Sequence, residues 1–166
     1  MTTEELPKYY SESEKIFPKI EKYLQGFIVD VGCNQHKVVS HAIGIDQYPH
    51  PCVDYLTSKL DHLSDGVLSH LKGKVDVVFS SHCLEHFQGD VAALVDWLEL
   101  LKPDGHLILY LPDDRYYNND KNPEHVQRYT YEKFLFFMKS LRVQIVDSGL
   151  DVGHDKYSFF VVAKKV

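Results

Sequence analysis

The chain has 166 residues and a formal net charge of −6, from 24 acidic and 18 basic side chains. That length predicts one domain, residues 1–166, with a core of its own, and an acidic balance without a Lys/Arg run excludes an extended nucleic-acid surface. Three widely spaced cysteines, Cys33, Cys52 and Cys83, exclude a disulfide framework or zinc ribbon, and no apolar run nears the roughly 20 residues that cross a bilayer, so no membrane partner is expected.

The polar, acidic N-terminus carries no signal-peptide pattern, and a cytoplasmic location is the expectation. Residues 1–24 read as a helical segment. Thr2 and Glu5 have capping-box spacing, and Ile16, Phe17, Ile20 and Leu24 follow the helical period, with Pro7 and Pro18 kinking it. The apolar run Ile28-Val29-Asp30-Val31, ending at Gly32, predicts a buried strand, and Ile43-Gly44-Ile45-Asp46 a second. Only about ten residues separate them, so any helix between is a stub. A short third strand is predicted over 52–56, then a helix or two turns over 60–72.

Val75-Asp76-Val77-Val78-Phe79-Ser80 is the strongest strand. A helix over 89–101 follows, its expected apolar face Val91, Leu94, Val95, Leu98 and Leu101. Pro103-Asp104-Gly105 predicts a turn before a strand from His106 to Leu111. Polar residues 112–129 predict a long loop on the substrate side. Thr130 caps a last helix, with Phe134, Phe137, Met138 and Leu141 inward. Strands over 142–147 and 157–164 close the chain, joined by a loop containing Gly149 and Gly153. The pattern predicts an α/β fold: a doubly wound, mostly parallel seven-stranded sheet, an antiparallel C-terminal strand pair, and helices on both faces.

Ligands of such sheets bind beyond the carboxyl ends of the strands. Four segments follow the best strands: IVDVGCN (28–34), IGID (43–46), VDVVFSSHCLEHF (75–87) and LLKPDGHLILYLP (100–112). A glycine straight after a strand permits a tight turn. A carboxylate ending the next strand can accept from two vicinal hydroxyls.

In order and spacing these four segments resemble the class I S-adenosylmethionine-dependent methyltransferases, in the subgroup with a very short first helix. The resemblance implies S-adenosylmethionine as cofactor. It places Asp30, Gly32, Cys33 and Asn34 at the methionine part, Asp46 and Gln47 at the ribose, Ser58 and Leu60 near adenine, and Ser80, Ser81 and His82 beside the transferred methyl. Asn34 and His36 stand where the family has glycines, and asparagine tolerates the left-handed backbone such a loop needs. The segment Asn122-Pro123-Glu124-His125-Val126-Gln127-Arg128-Tyr129-Thr130 resembles one found in the same subgroup. His125 or His82 would serve as general base, with Asp113, Tyr116 and Tyr117 at the substrate mouth. The expected reaction is O- or N-methylation of a small-molecule or saccharide acceptor.

Other functions remain open at this level. A catalytically inactive binding domain would have the same fold. A nicotinamide-dependent oxidoreductase would need the GxGxxG loop that is missing here. His82-Cys83-Leu84-Glu85-His86 satisfies the H-x-x-E-H zinc-hydrolase pattern, but such a site needs a third protein ligand and a long helix. Here the motif starts directly at a strand end, where the methyltransferase pattern already explains Leu84, Glu85 and His86. No metal is therefore expected.

Overall fold

A computed structural model of the chain describes residues 11–166. In chain order the elements are α1 (Glu12–Ile20), β1 (Ile28–Val31), β2 (Ile43–Asp46), β3 (Tyr55–Leu56), β4 (Val75–Ser81), α2 (Asp90–Leu100), β5 (Leu101–Pro112), α3 (Tyr131–Met138), β6 (Val143–Gly153) and β7 (Lys156–Lys165). The strands form one sheet in the order β3-β2-β1-β4-β5-β7-β6. Neighbours from β3 through β5 pair parallel, while β7 runs antiparallel to both β5 and β6. The doubly wound sheet with an antiparallel end is as the sequence predicts.

Period-two alternation divides the sheet's side chains between two cores. Val29, Val31, Val78, Leu107, Leu109, Phe159 and Val161 meet α2 and α3 on one face. Ile28, Val77, Phe79, Ile108, Tyr110, Phe160 and Val162 meet α1 on the other. The central strands are buried on both sides, hence their near-continuous apolar runs.

Local departures have physical causes. Thr2, Glu5 and Pro7 lie outside the described residues. The cap of α1 is Ser11, whose hydroxyl accepts from the Glu14 amide at 3.3 Å. Pro18 sits near the end of α1, and a 3-10 turn over Glu21–Tyr23 follows it. No helix forms between β1 and β2: turns cover 32–42, and Asp30 accepts from the Val38 amide inside the connection. Helix α2 is rotated from the expected face. It buries Ala93, Leu94, Trp97 and Leu100, while Val91 and Val95 are exposed. The Trp97 indole fixes this rotation by donating to the Leu60 carbonyl at 2.7 Å. Residues 148–156 are not a loop. Gly149 lies within β6 under the Phe160 ring, and the hairpin turns at His154-Asp155, both left-handed with φ of 48° and 66°.

Candidate active site

The carboxyl ends of β1, β2 and β4 open onto two abutting cavities of about 430 and 460 Å³. Both are lined by Gly32, Asn34 and His82. The first also draws on Glu12 and Lys15 from α1, with Asp30, Cys33 and Ser81. The second adds Asp46, Gln47, Ser58, Leu60, His86 and Phe87.

Backbone constraints shape the shared wall. Gly32 has φ +73°, and a Cβ there would lie 2.6 Å from the Cys83 sulfur. Asn34 takes the left-handed conformation the sequence allows it, with φ 51°. Its amide donates to Asp46 Oδ2 at 2.8 Å, and the Tyr48 amide donates to Asp46 Oδ1 at 3.0 Å. One carboxylate thus ties the turns after β1 and β2 together. On the far wall, Asp96 of α2 accepts from the Leu63 and Ser64 amides, so α2 holds the segment bearing Ser58 and Leu60.

Gly32→Ala should lower stability by about 2–4 kcal/mol, from the left-handed backbone plus the clash. Gly73→Ala shares the positive φ but meets nothing within 4 Å, and should cost only the backbone part. Thermal melts of the two variants separate these contributions; equal melting temperatures would show that the Cys83 contact costs nothing.

Burial sets the charge states. Asp30 is 1% exposed, and desolvation pushes its carboxyl up to about 7, against the Val38 amide bond that lowers it. Desolvation holds the His82 imidazole down to about 4, so it is neutral at physiological pH. Its Nε2 lies 2.9 Å from Ser158 Oγ and its backbone is left-handed, φ 48°. The Cys33 and Cys83 thiols are pushed up by burial and stay protonated.

Glu85 is fully buried in the 3-10 turn that follows β4, and burial pushes its carboxyl up to about 8. Among the described residues neither of its oxygens has a hydrogen-bond partner. Three imidazoles stand around Oε1: His125 Nε2 at 3.7 Å, His86 Nε2 at 3.9 Å and His82 Nδ1 at 4.0 Å. Burial also depresses the basicity of His86 and His125. His125 arrives because the Val126 and Gln127 amides both donate to the Glu85 carbonyl at 3.0 Å.

The structure places several expected site residues outside the linings of the two cavities. Ser80 is buried and its hydroxyl donates to the Val31 carbonyl, stitching β4 to β1. Asp113 is fully buried at a loop anchor: it grips Arg115 Nε and NH2 at 2.9 and 2.8 Å and accepts from the Tyr131 amide. Burial alone would raise its carboxyl, but Arg115 and the backbone donors outweigh it and the net shift is downward. Tyr116 is half exposed, beneath the Arg115 guanidinium. Tyr117 also lies outside the lining of the two cavities, its ring 5.1 Å from that of His125 and 4.9 Å from that of Tyr157. The cavity residues the sequence did not flag include Glu12 and Lys15, while Glu85 entered only through the H-x-x-E-H pattern. The first two reach the cavity only because α1 packs across the sheet, a long-range contact without a spacing signal.

Comparison with known proteins gives the family. A family described as a methyltransferase domain matches residues 9–154. No curated protein sequence matches the chain. Among solved structures, an S-adenosylmethionine-dependent methyltransferase from Mesorhizobium loti aligns at TM-score 0.70 and 14% identity, covering 91% of this chain and 98% of its own. The 1,6-didemethyltoxoflavin-N1-methyltransferase of Burkholderia thailandensis, with S-adenosylhomocysteine bound, aligns at TM-score 0.65 and 16% identity, over 93% and 76% of the two chains. A methyltransferase of Haloferax volcanii, in complex with the activator Trm112, aligns at TM-score 0.66 and 10% identity, over 92% of each. With its four motifs at the strand ends and this family match, the chain belongs to the class I S-adenosylmethionine-dependent methyltransferases.

Proposed function

We propose that the chain methylates a hydroxyl or amine of a small molecule, with saccharides among the candidate acceptors. The observation that carries the reading is the pair of abutting cavities meeting at Gly32, Asn34 and His82. Together they suit a ligand with one charged and one nucleoside end. Asp30 and the buried Oε2 of Glu12, which has no hydrogen-bond partner among the described residues, supply acceptors for an ammonium. Asp46 offers its remaining lone pairs to ribose hydroxyls, and Leu60 and Phe87 give adenine an apolar wall. The cofactor supplies an intrinsically reactive sulfonium methyl, so the chain's part is to position and desolvate the partners.

His82 lines both cavities and is neutral, and it takes the acceptor's proton. His125, with a side chain only 4% exposed, acts from behind through Glu85. The small-molecule acceptor is favoured by the acidic balance of the chain, and it accords with the 1,6-didemethyltoxoflavin named for the Burkholderia protein.

Calorimetric titration with S-adenosylhomocysteine tests the cavity assignment, and transfer of labelled methyl to a panel of sugars, phenols and heteroaromatic amines tests the acceptor class. His82→Asn keeps a residue tolerant of the left-handed backbone. It should bind within a few-fold of wild type yet lose about 100-fold or more of turnover. Absence of heat at millimolar ligand would sink the cavity assignment, and unchanged turnover would remove His82 as the base.

A further inference from the structure

The geometry points to a divalent transition-metal site formed by Glu85, His86 and His125. Nothing in the fold requires a carboxylate here. Glu85 is fully buried, and among the described residues neither oxygen has a hydrogen-bond partner. An orphaned buried carboxylate is costly and calls for an explanation. The ligand atoms of Glu85, His86 and His125 all lie within 4.8 Å of one another. Atoms bound to one ion at roughly 2.0–2.2 Å stand about 3–4 Å apart, so small side-chain movements close the site.

The tautomer of His125 is the second, independent sign. Asn119 Nδ2 donates to Asp114 Oδ1 at 2.6 Å, which fixes the amide's orientation. Asn119 Oδ1 must then accept from His125 Nδ1–H, at 2.8 Å. The bare lone pair of His125 is left on Nε2, which faces Glu85 Oε1 at 3.7 Å. Once Glu85 gives up its proton, two electron-pair donors confront each other at that distance, and a cation between them turns their repulsion into binding. An oxygen acceptor on the far ring nitrogen is the usual support for a metal-bound histidine.

Two imidazole nitrogens and one carboxylate oxygen suit Zn²⁺, Fe²⁺, Co²⁺ or Mn²⁺ better than Mg²⁺ or Ca²⁺. Three protein ligands leave coordination positions open, the pattern of catalytic rather than structural sites. Glu85 Oε1 lies 4.0 Å from Nδ1 of His82, the proposed base, so those positions face the proposed acceptor. Oxygen acceptors, hydroxyls above all, are then the class the ion would engage. This last clause rests on the proposed methyl-transfer reading; the ion's binding does not.

Chelator-stripped protein without S-adenosylmethionine is titrated with Co²⁺ and followed by visible d–d absorption and calorimetry. One ion per chain is expected, with a dissociation constant on the order of micromolar. The ten histidines of the chain make location essential. Glu85→Gln and His86→Ala should each weaken binding by more than about 100-fold, while Asn119→Ala, which touches no ion, should weaken it about 10–100-fold. His62→Ala, on an exposed histidine paired with Asp61, should change nothing. Absent Co²⁺ bands, or bands that persist in Glu85→Gln and His86→Ala while both variants stay folded by circular dichroism, would overturn the site. Because the titration contains no methyl donor, that failure leaves the methyl-transfer reading untouched.

Discussion

Asp46→Ala is expected to weaken S-adenosylhomocysteine binding by about 100-fold, as measured by calorimetry. The carboxylate accepts from the Asn34 and Tyr48 amides, and charge-assisted bonds of this kind are worth about 1.5–3 kcal/mol each. Removing it frees the turns after β1 and β2, which form the wall between the two cavities, and it also removes the acceptor offered to the ribose. Asp46→Asn retains one oxygen and should fall between wild type and Asp46→Ala. Equal affinities for all three proteins would show that Asp46 neither shapes nor contacts the ligand.

Glu85→Gln should remove an alkaline loss of stability. The Glu85 carboxyl titrates at about 8 in the folded chain against 4.5 as its ordinary value. An acid raised in this way contributes most below its unfolded pKa and loses that contribution as pH climbs towards the folded one. His82 has the opposite slope. Its imidazole is depressed from 6.5 to about 4, so it costs stability as pH falls through that interval. Asp30, raised to about 7, adds to the Glu85 trend only up to there. Between pH 6.5 and 8 Glu85 therefore dominates, at about 1.4 kcal/mol per pH unit. Chelated wild-type protein should lose about 2 kcal/mol across that interval, or roughly 4–8 °C in melting temperature. Glu85→Gln should be nearly flat there, and parallel melting curves for the two proteins would refute the assignment.

The strands were legible because strands buried on both faces are mostly apolar, and Ile28–Val31 and Val75–Phe79 are apolar but for Asp30 and Asp76. The cavity rim was legible for a similar reason: a glycine or an acid placed directly after a strand lands at the sheet's carboxyl edge, as Gly32 and Asp46 do. What stayed hidden depended on distant partners. The rotation of α2 follows from Trp97 finding the Leu60 carbonyl, which no helical period encodes. Ser80 and Ser81 look alike in sequence, yet successive strand residues point oppositely, and only Ser81 reaches the cavity. Gly149 and Gly153 read as loop formers, but Gly149 is needed to clear the Phe160 ring within a paired strand. His125 meets Glu85 through backbone bonds from Val126 and Gln127, which leave no trace in residue identity.

The strand order carries a consequence for self-association. Unpaired strand edges invite another chain to add on, and this sheet ends in two unequal ones. The β3 edge is only two residues long, too short to template a partner. The β6 edge runs from Val143 to Gly153, but its register with β7 slips between Ile145 and Asp147. That bulge, with Gln144, Asp147 and Ser148 along the strand, breaks the flat ladder that edge-to-edge aggregation would need.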